Sequence, residues 1–415
     1  MTVPPIDQFT RRLEFFVEPP YERLLRPLPW HRPIEEWRSL GVRHLDVKRG
    51  IGRHPVVFVQ TNAHRFVVKE LGVRVSLREI ENYRQMLQRG IHTLVPLGCV
   101  ARTEEPIAVE TPVGIQYEAN VVGHTVTLLM ENVLPDSQLY RRAFRFESRR
   151  RIWDAIALLF AELHGNGVYW GDASLANTLI RFMKVDIPYV GRRTQLKAYL
   201  ADAETVEINP TIPDSLRKAD IQYFLESMDW VDEDLRVSGI VRETVASEQD
   251  KSYLVEAYER SYAVYSKSRE FEHLTELNVE QLLGTVPRPE YLEQMRRHIE
   301  EHKWYLSERR NREVSYAEAS RDWYRGIFVP ICDLFRQEGV LDFFPGKTAS
   351  ELYVEIMTNK YFLSRERGRD VGMLLAMHDY AERFGTEVKP MPFWKELAEK
   401  MLAILGWKEE QLLMI

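Results

Sequence analysis

The periodicity of the sequence changes about halfway along the chain. In the first half, short β-branched and aromatic stretches alternate with amphipathic segments of helical spacing, whereas the second half has helical spacing almost throughout. A chain of 415 residues is long enough for about two or three domains. We therefore predict an α+β fold, in which a domain of mixed strands and helices precedes a mostly α-helical C-terminal domain.

Composition argues against several other classes of protein. Hydrophobic residues make up 45% of the chain and charged residues 28%, as in ordinary folded proteins. The formal net charge of -6 argues against nucleic-acid binding through phosphate neutralisation. Cys99 and Cys332 lie too far apart to indicate a disulfide framework or a zinc site. Because no apolar run approaches the roughly 20 residues that span a bilayer, and the N-terminus lacks a signal-peptide core, we expect a cytoplasmic protein without a membrane span.

Three strands and two turns are predicted between residues 44 and 70. Gly50 and Gly52 lie in the first turn, and VVFV at 56–59 is β-branched and aromatic. The third strand, FVVKEL, carries Lys69 close to its end. Because an edge-strand lysine often serves only to discourage aggregation, the role of Lys69 depends on what the fold places beside it.

Two helices are predicted within the mixed half. Ser76 and Glu79 form a capping-box pattern, which is followed by apolar residues at helical spacing. One interpretation of Glu79 is that it serves only this cap. The other is that it points towards the sheet, because it shares a helix face with Tyr83. Glu81 is the alternative candidate for the glutamate that points towards the sheet. The second helix covers 147–165, where an apolar stripe runs up to two glycines.

The stretch GVYWGDASLANTLI places Asp172 and Asn177 five positions apart, in a loop that precedes a short apolar segment. The next residues predict a strand, a turn and another strand, which return Asp202 to the side of Asn177. A few oxygen ligands of this kind leave positions around Mg²⁺ for phosphate oxygens and water. Lys69 supplies the cation that phosphates also require, and Glu79 can hold its ammonium. An isolated aspartate and asparagine usually mark only a turn, so the prediction depends on the order of all five residues.

In order and spacing, these residues resemble the protein-kinase-like superfamily. WGDASLAN is similar to the catalytic loop H-G-D-x-x-x-x-N of small-molecule kinases, DAE at 202–204 to the D-F-G metal triplet, and VVK to the strand that carries the ATP lysine. More narrowly, GVYWGDASLANTLIRF, LADAETVE and KYFLSRERGRDVG resemble an uncharacterised bacterial family, in which a lipopolysaccharide-kinase-like domain precedes a conserved helical domain of unknown function. The resemblance covers about residues 45–385 and implies a bilobal kinase-like domain followed by a helical one.

The resemblance implies a role for each candidate residue. It implies a reaction centre of five residues, namely the catalytic aspartate Asp172, the metal ligands Asn177 and Asp202, the phosphate anchor Lys69 and its partner Glu79. In the hinge-like segment MENV, the Glu131 carbonyl and the Val133 amide would bind the adenine edge. Gly50 and Gly52 correspond to the glycine-rich loop. ATP and Mg²⁺ are the implied cofactors.

Two positions depart from the family pattern. Trp170 stands where a histidine normally opens the catalytic loop, and Ala203 and Glu204 replace the phenylalanine and glycine of the metal triplet. Trp170 changes the packing of the loop but leaves the carboxylate chemistry intact. Glu204 can add a contact to the metal, directly or through a ligand, and argues against a regulated flip of the triplet.

The second half contains two similar segments. KWYLSERRNREVSYAEASRDWY at 303–324 aligns without gaps to KYFLSRERGRDVGMLLAMHDYA at 360–381, so each is predicted to form an αα-hairpin. The predicted helix ends agree with this alignment. Helices start at Pro289, at Ser315 with Glu318 and at Thr348 with Glu351, and they stop at Asn311 and Gly368.

Aromatic residues are frequent in these two segments. They are predicted to lie in the core, as for Trp304, Tyr305, Tyr361 and Phe362. A helical repeat filled in this way usually packs against something. The kinase-like domain, a second copy of the chain and another protein all remain open as that partner.

These predictions divide the chain into four parts. They are an N-terminal extension at 1–43, an N-lobe of antiparallel sheet and one helix at 44–132, a C-lobe with connecting helices at 133–270, and a helical domain at 271–415.

The predicted function is ATP- and Mg²⁺-dependent transfer of a phosphoryl group to a hydroxyl-bearing acceptor, which is a sugar, a glycolipid or a protein. One alternative is a nucleotide-binding pseudokinase or sensor whose helical domain binds a protein, as the altered Trp170 and Glu204 suggest. Another is nucleotidyl transfer with ATP in a reversed orientation. The retained Asp172 favours catalysis, because a sensor does not need that carboxylate.

Overall fold

The computed structural model of the chain describes residues 12–47, 54–111, 114–135, 146–187, 191–239, 246–283, 288–387 and 389–405. Gly50 and Gly52, predicted to form a glycine-rich turn, lie outside the described residues. The chain divides into two compact units. The first comprises Met1–Met183 and Thr194–Tyr262, and the second comprises Lys184–Arg193 and Ala263–Ile415.

An antiparallel sheet of five strands begins the first unit. The strands are β1 Leu13–Val17, β2 Val56–Thr61, β3 His64–Gly72, β4 Pro96–Thr111 and β5 Gly114–Leu128, in the spatial order β1-β4-β5-β3-β2. The strands predicted around VVFV and FVVKEL are confirmed by β2 and β3. Alternation along β3 buries Phe66 and Val68 on one face, while Val67 and Lys69 line an open cavity on the other.

The N-terminal segment covers the buried face of this sheet. Strand β1 pairs with β4, and helix α1, Pro19–Leu25, follows it. Trp30 and Trp37 are fully buried in a cluster with Val59 of β2 and Phe66 of β3. Part of the extension predicted at 1–43 therefore contributes an edge strand and a hydrophobic cover to the sheet.

Helix α2, Val73–Gln88, continues directly from β3, with Gly72 as its N-cap residue. It begins ahead of the predicted cap, so Ser76 is buried inside the helix. The capping-box prediction is wrong, because the Glu79 carboxylate accepts hydrogen bonds from Lys69 and Thr125 instead of a backbone amide at the helix start.

The rest of the first unit is mainly helical. Its elements are β6 Val133–Pro135, α3 Phe146–Gly165, β7 Val168–Tyr169, most of β8 Thr178–Ile187 and of β9 Gly191–Leu200, β10 Glu207–Ile208, α4 Asp214–Val237 and the first part of α5 Glu248–Thr275. Strands β6, β8 and β9 form a small sheet, and β7 pairs with β10. The predicted helix at 147–165 is confirmed by α3. Its buried stripe packs against Trp170 and Phe224 and thereby supports the loop after β7.

Apart from the end of β8 and the start of β9, the second unit is helical in the part that the structure describes. Beyond α5 it contains α6 Val279–Leu283, α7 Pro289–Arg310, α8 Tyr316–Trp323, α9 Val329–Gln337, α10 Ala349–Arg367, α11 Gly372–Phe384 and α12 Met391–Leu405. The predicted helix ends are confirmed. Asn311 and Gly368 adopt left-handed conformations at φ 51° and 65°, and Thr348 forms a reciprocal capping box with Glu351.

Four aromatic side chains of this unit do not lie in the core, contrary to the prediction. Trp304, Tyr305, Tyr361 and Phe362 are 56%, 57%, 46% and 54% exposed, respectively. The buried stripe of α7 contains Met295, Ile299 and Leu306, and helical geometry turns positions 304 and 305 away from it.

The predicted α+β class is confirmed. A sheet with one helix precedes a helix-rich part, as in a bilobal kinase-like domain, and a helical unit follows. No helix within the described ranges is both long and apolar enough to cross a bilayer.

Candidate active site

Lys69 is the central cation of the site. Its Nζ lies 2.7 Å from Asp202 Oδ2, 3.2 Å from Glu79 Oε1 and 3.4 Å from Glu204 Oε2. The three ammonium protons thus face three carboxylates. Burial lowers the pKa of Lys69, but these carboxylates outweigh that effect and the pKa is raised. Lys69 is therefore charged at neutral pH.

Glu79 is the partner that α2 provides. It is 1% exposed, and its Oε2 accepts a hydrogen bond of 2.8 Å from Thr125 on β5. Tyr83 Oη lies 3.1 Å from Glu79 Oε1 and 2.7 Å from the Ala201 carbonyl oxygen, so its one proton can serve either. Glu81 is exposed, and among the described residues its carboxylate accepts a hydrogen bond from Gln85 of its own helix, so the structure brings Glu79 to Lys69 and not Glu81.

The burial of Glu79 predicts a pH dependence of stability. Burial raises the pKa of Glu79 from its ordinary 4.5 to about 7, although Lys69 opposes the shift. Folding therefore favours the protonated form of Glu79. The stability that comes from this preference is present at pH values below 4.5 and is lost as the pH rises to about 7, which lowers the free energy of unfolding. We expect the Tm of Glu79→Gln, which cannot ionise, to vary less with pH in that window than the Tm of wild type.

Thermal unfolding followed by circular dichroism across this pH range measures the effect. The exposed Glu81→Gln is the matched control and should keep the wild-type profile. The same profile for wild type and Glu79→Gln would contradict the buried environment of Glu79.

The loop after β9 brings Asp202 to Asn177, as predicted. The Ala201 amide donates to the Asn177 carbonyl at 2.9 Å, and the Glu204 amide donates to Asp202 Oδ1 at 3.2 Å. Trp170 is fully buried, and its Nε1 donates to the Asp202 carbonyl oxygen at 3.1 Å. Trp170 thus links the loop that carries Asp172 to the segment at 202–204.

Asn177 closes the loop that carries Asp172. Its Nδ2 donates to the backbone carbonyl of Asp172 at 3.2 Å, which leaves Oδ1 available to a cation. Asn177 and Asp202 line the same cavity as Lys69, whereas Asp172 does not line it. In the part of the chain that the structure describes, the Asp172 carboxylate has no hydrogen-bond or ion-pair partner. Its oxygens are therefore available as hydrogen-bond acceptors.

The donor set fits a magnesium ion that is bound together with phosphates. Asn177 Oδ1 and the Asp202 carboxylate are hard oxygen donors in one cavity. No group of three or more His, Cys, Asp or Glu side chains among the described residues is placed to hold a metal. Two protein ligands leave coordination positions for phosphate oxygens and water, which Mg²⁺ retains readily.

Asp220 on α4 holds the loop that carries Asp172 in place and was not predicted from the sequence. Its carboxylate accepts hydrogen bonds from the Trp170 and Gly171 amides at 2.7 and 2.8 Å, and it lies 3.2 Å from His164 Nε2. Gly171 has φ +81°, a conformation that favours glycine. A sequence signal existed, because Asp220 lies beside Ile221 on the buried face of an amphipathic helix.

Removal of this anchor should destabilise the first unit. Asp220 is 1% exposed, so Asp220→Ala leaves two backbone amides without an acceptor away from water. We expect the free energy of unfolding to fall by about 3 kcal/mol. Urea denaturation measures the loss. Asp234→Ala, at an exposed position of the same helix, is the control, and an equally small effect of both variants would contradict the role of Asp220.

The cavity combines apolar walls with a charged end. Its apolar lining includes Val56, Val67, Leu94, Met130, Val133 and Leu179. The Glu131 side chain points elsewhere, since it is 61% exposed and pairs with Arg65 at 2.8 Å. Apolar walls suit a flat heterocyclic base, and Lys69 with Asp202 suits phosphates and their cation.

Comparison with known proteins gives limited similarity. No family model and no curated protein matches the chain. Among solved structures, WaaP in complex with acyl carrier protein is similar with a TM-score of 0.36 and 16% identity, over 60% of this chain and 89% of that chain. The Rio2 kinase of Chaetomium thermophilum in an ADP/Mg²⁺-phosphoaspartate complex has a TM-score of 0.30 and 15% identity, over 57% of this chain and 66% of its own. Another structure of that kinase has a TM-score of 0.30 and 14% identity, over 57% of this chain and 76% of that chain. Likeness at this level does not determine what this chain binds.

Proposed function

We propose that this chain is an ATP- and Mg²⁺-dependent phosphotransferase that moves the γ-phosphoryl group of ATP to a hydroxyl group. One observation carries the proposal. Lys69 contacts Asp202, 133 positions further along the chain, and the helix glutamate Glu79 at the same time. A strand lysine, a helix glutamate and a loop aspartate that meet in one cleft form the phosphate-binding arrangement of kinases.

The residues divide the chemistry between them. Lys69 exchanges carboxylate oxygens for phosphate oxygens when nucleotide enters, while Glu79 continues to hold its ammonium. Asn177 and Asp202 hold Mg²⁺, which, when bound, offsets the negative charge of the phosphates. Asp172 orients the acceptor hydroxyl and takes its proton. The acceptor oxygen forms a bond to the γ-phosphorus, the bond from that phosphorus to the bridging oxygen breaks, and ADP leaves.

The apolar part of the cavity receives the adenine base in this proposal. The Glu131 carbonyl and the Val133 amide bind the edge of the base, with Val133 also lining the cavity. The Arg65–Glu131 ion pair engages only the glutamate side chain and leaves that carbonyl available. Sugar, glycolipid and protein hydroxyl groups are all compatible acceptors, because acceptor contacts belong to loops that differ between kinases.

A nucleotide sensor is the second candidate. It is favoured by one observation, that Asp172 lies outside the lining of the cavity that holds Lys69 and Asp202. Its helical unit would then bind a protein partner.

Incubation with ATP labelled at the α or the γ position, with and without cell extract, separates these functions. We expect γ label on an acceptor. Label from the α position would indicate nucleotidyl transfer, and binding without transfer of either label would indicate a sensor. Either of these two results would overturn the proposal that the chain is a phosphotransferase.

A further inference from the structure

Two exposed aromatic pairs occupy equivalent positions in the helical unit. Trp304 and Tyr305 lie on α7, with ring centroids 4.8 Å apart, and Tyr361 and Phe362 lie on α10, with centroids 5.5 Å apart. All four side chains are about half exposed, in contrast to the neighbouring Leu306 and Leu363, which are buried. Large apolar side chains that cluster at a surface usually mark a site of interaction.

The two pairs lie on helices that contact each other. Tyr291 of α7 donates a hydrogen bond to Glu355 of α10. Further along, Lys360 of α10 acts electrostatically on Glu301 of α7, three positions before Trp304. Each aromatic pair follows these positions along its own helix, Trp304 three residues after Glu301 and Tyr361 one residue after Lys360.

Arginines follow each aromatic pair. In the part of the chain that the structure describes, the exposed guanidinium groups of Arg309, Arg365, Arg367 and Arg369 have no carboxylate within ion-pair distance. By contrast, Arg310 and Arg312 are paired with Glu318. We call these four arginines and the four aromatic residues the aromatic–arginine face. Residues 304–312 and 361–369 contain six arginines and two carboxylates, Glu308 and Glu366, so these stretches are net positive although the net charge of the chain is -6.

We propose that the aromatic–arginine face binds the surface of a membrane that contains anionic lipid. Trp and Tyr rings with a polar edge are favoured at the boundary between headgroups and acyl chains. Arginines beside them attract anionic headgroups. The contact is peripheral, since it uses the ends of two helices and no spanning segment. The proposal is independent of the phosphotransferase function.

Other occupants fit the face less well. A second copy of the chain, docked by the same face, would bring arginines against arginines. The two rings of each pair pack against one another and leave no space between them for a partner side chain. A lipid surface needs no such space.

Flotation with vesicles tests the proposal on the full chain. We expect wild type to bind vesicles in which about a third of the lipid is phosphatidylglycerol, but not pure phosphatidylcholine vesicles, and to bind less at high salt. Trp304→Ser combined with Tyr361→Ser should weaken binding about tenfold or more. Arg365→Glu combined with Arg367→Glu should weaken vesicle binding at least as much, because the loss of each arginine charge weakens binding about fivefold. Trp230→Ser, at a 55% exposed tryptophan of α4, should bind like wild type.

All substituted positions are exposed, and circular dichroism verifies that each variant keeps its fold. The wild-type dependence on lipid charge and salt is a second test that needs no variant. Absence of wild-type binding to anionic vesicles, or equal binding by wild type and both double variants, would overturn the proposal. So would binding of a single-stranded oligonucleotide, lost with the same substitutions, in the absence of vesicle binding.

Discussion

We expect Asp172→Asn to lower the rate of phosphoryl transfer about a thousandfold while nucleotide affinity stays within a few fold of wild type. The carboxylate of Asp172 lies outside the lining of the cavity and has no partner within the described ranges, so its loss leaves the nucleotide-binding groups in place. The substitution keeps the shape of the side chain but removes the acceptor for the hydroxyl proton. The hydrogen bond from Asn177 to Asp172 uses the backbone carbonyl and is retained.

Transfer of γ label and equilibrium binding of ATP, measured on the same preparation, test this expectation. Asp234→Asn, at an exposed position on α4, is the matched control and should equal wild type in both assays. Retention of transfer in Asp172→Asn would remove Asp172 from the mechanism. A parallel loss of binding would show that the side chain belongs to the nucleotide site instead.

The second large effect is expected for Asp202→Asn, which should weaken Mg²⁺-dependent nucleotide binding at least about tenfold. Asp202 is the closest partner of Lys69, at 2.7 Å, and lines the cavity together with Asn177. The amide is a poorer ligand for a divalent cation, so the site holds Mg²⁺ less tightly. The phosphates are then held less tightly as well, because Mg²⁺ links them to the protein. Lys69 keeps Glu79 and Glu204, and the fold is therefore retained.

The shift of Tm by ATP with Mg²⁺, compared with ATP and a chelator, reports this loss. Wild type should show a large shift only with the metal, and Asp202→Asn should show little shift in either case. The matched control is Asp229→Asn, whose carboxylate is 59% exposed and pairs with Lys251. If Asp202→Asn gave the same metal-dependent shift as wild type, Asp202 would not be a metal ligand.

Sequence periodicity predicted the parts of the site that lie on regular elements. Lys69 lies in an alternating strand, and Asn177 and Asp202 flank a hairpin whose two strands return the chain on itself. The order of residues along such elements determines which side chains meet. The ends of α7 and α10 were predicted for a similar reason, because cap residues act locally.

Contacts between distant segments were not predictable in the same way. The start of α2 depends on how β3 continues into it, so the pattern at Ser76 and Glu79 suggested a cap that tertiary contacts replace. The support that Asp220 gives to the loop that carries Asp172 spans about 50 positions and leaves only a carboxylate on an apolar helix face as its signal. The exposure of Trp304, by contrast, could be read from the apolar stripe of Met295, Ile299 and Leu306, which turns position 304 away from the core.

Calorimetric titration with ATP, in the presence and absence of Mg²⁺, tests most directly whether the cleft around Lys69 binds a nucleotide triphosphate. We predict saturable binding at one site in wild type, a requirement for Mg²⁺, and loss of binding in Lys69→Met, which keeps the length of the side chain but not its charge. Absence of binding by wild type, or equal binding by wild type and Lys69→Met, would contradict the account.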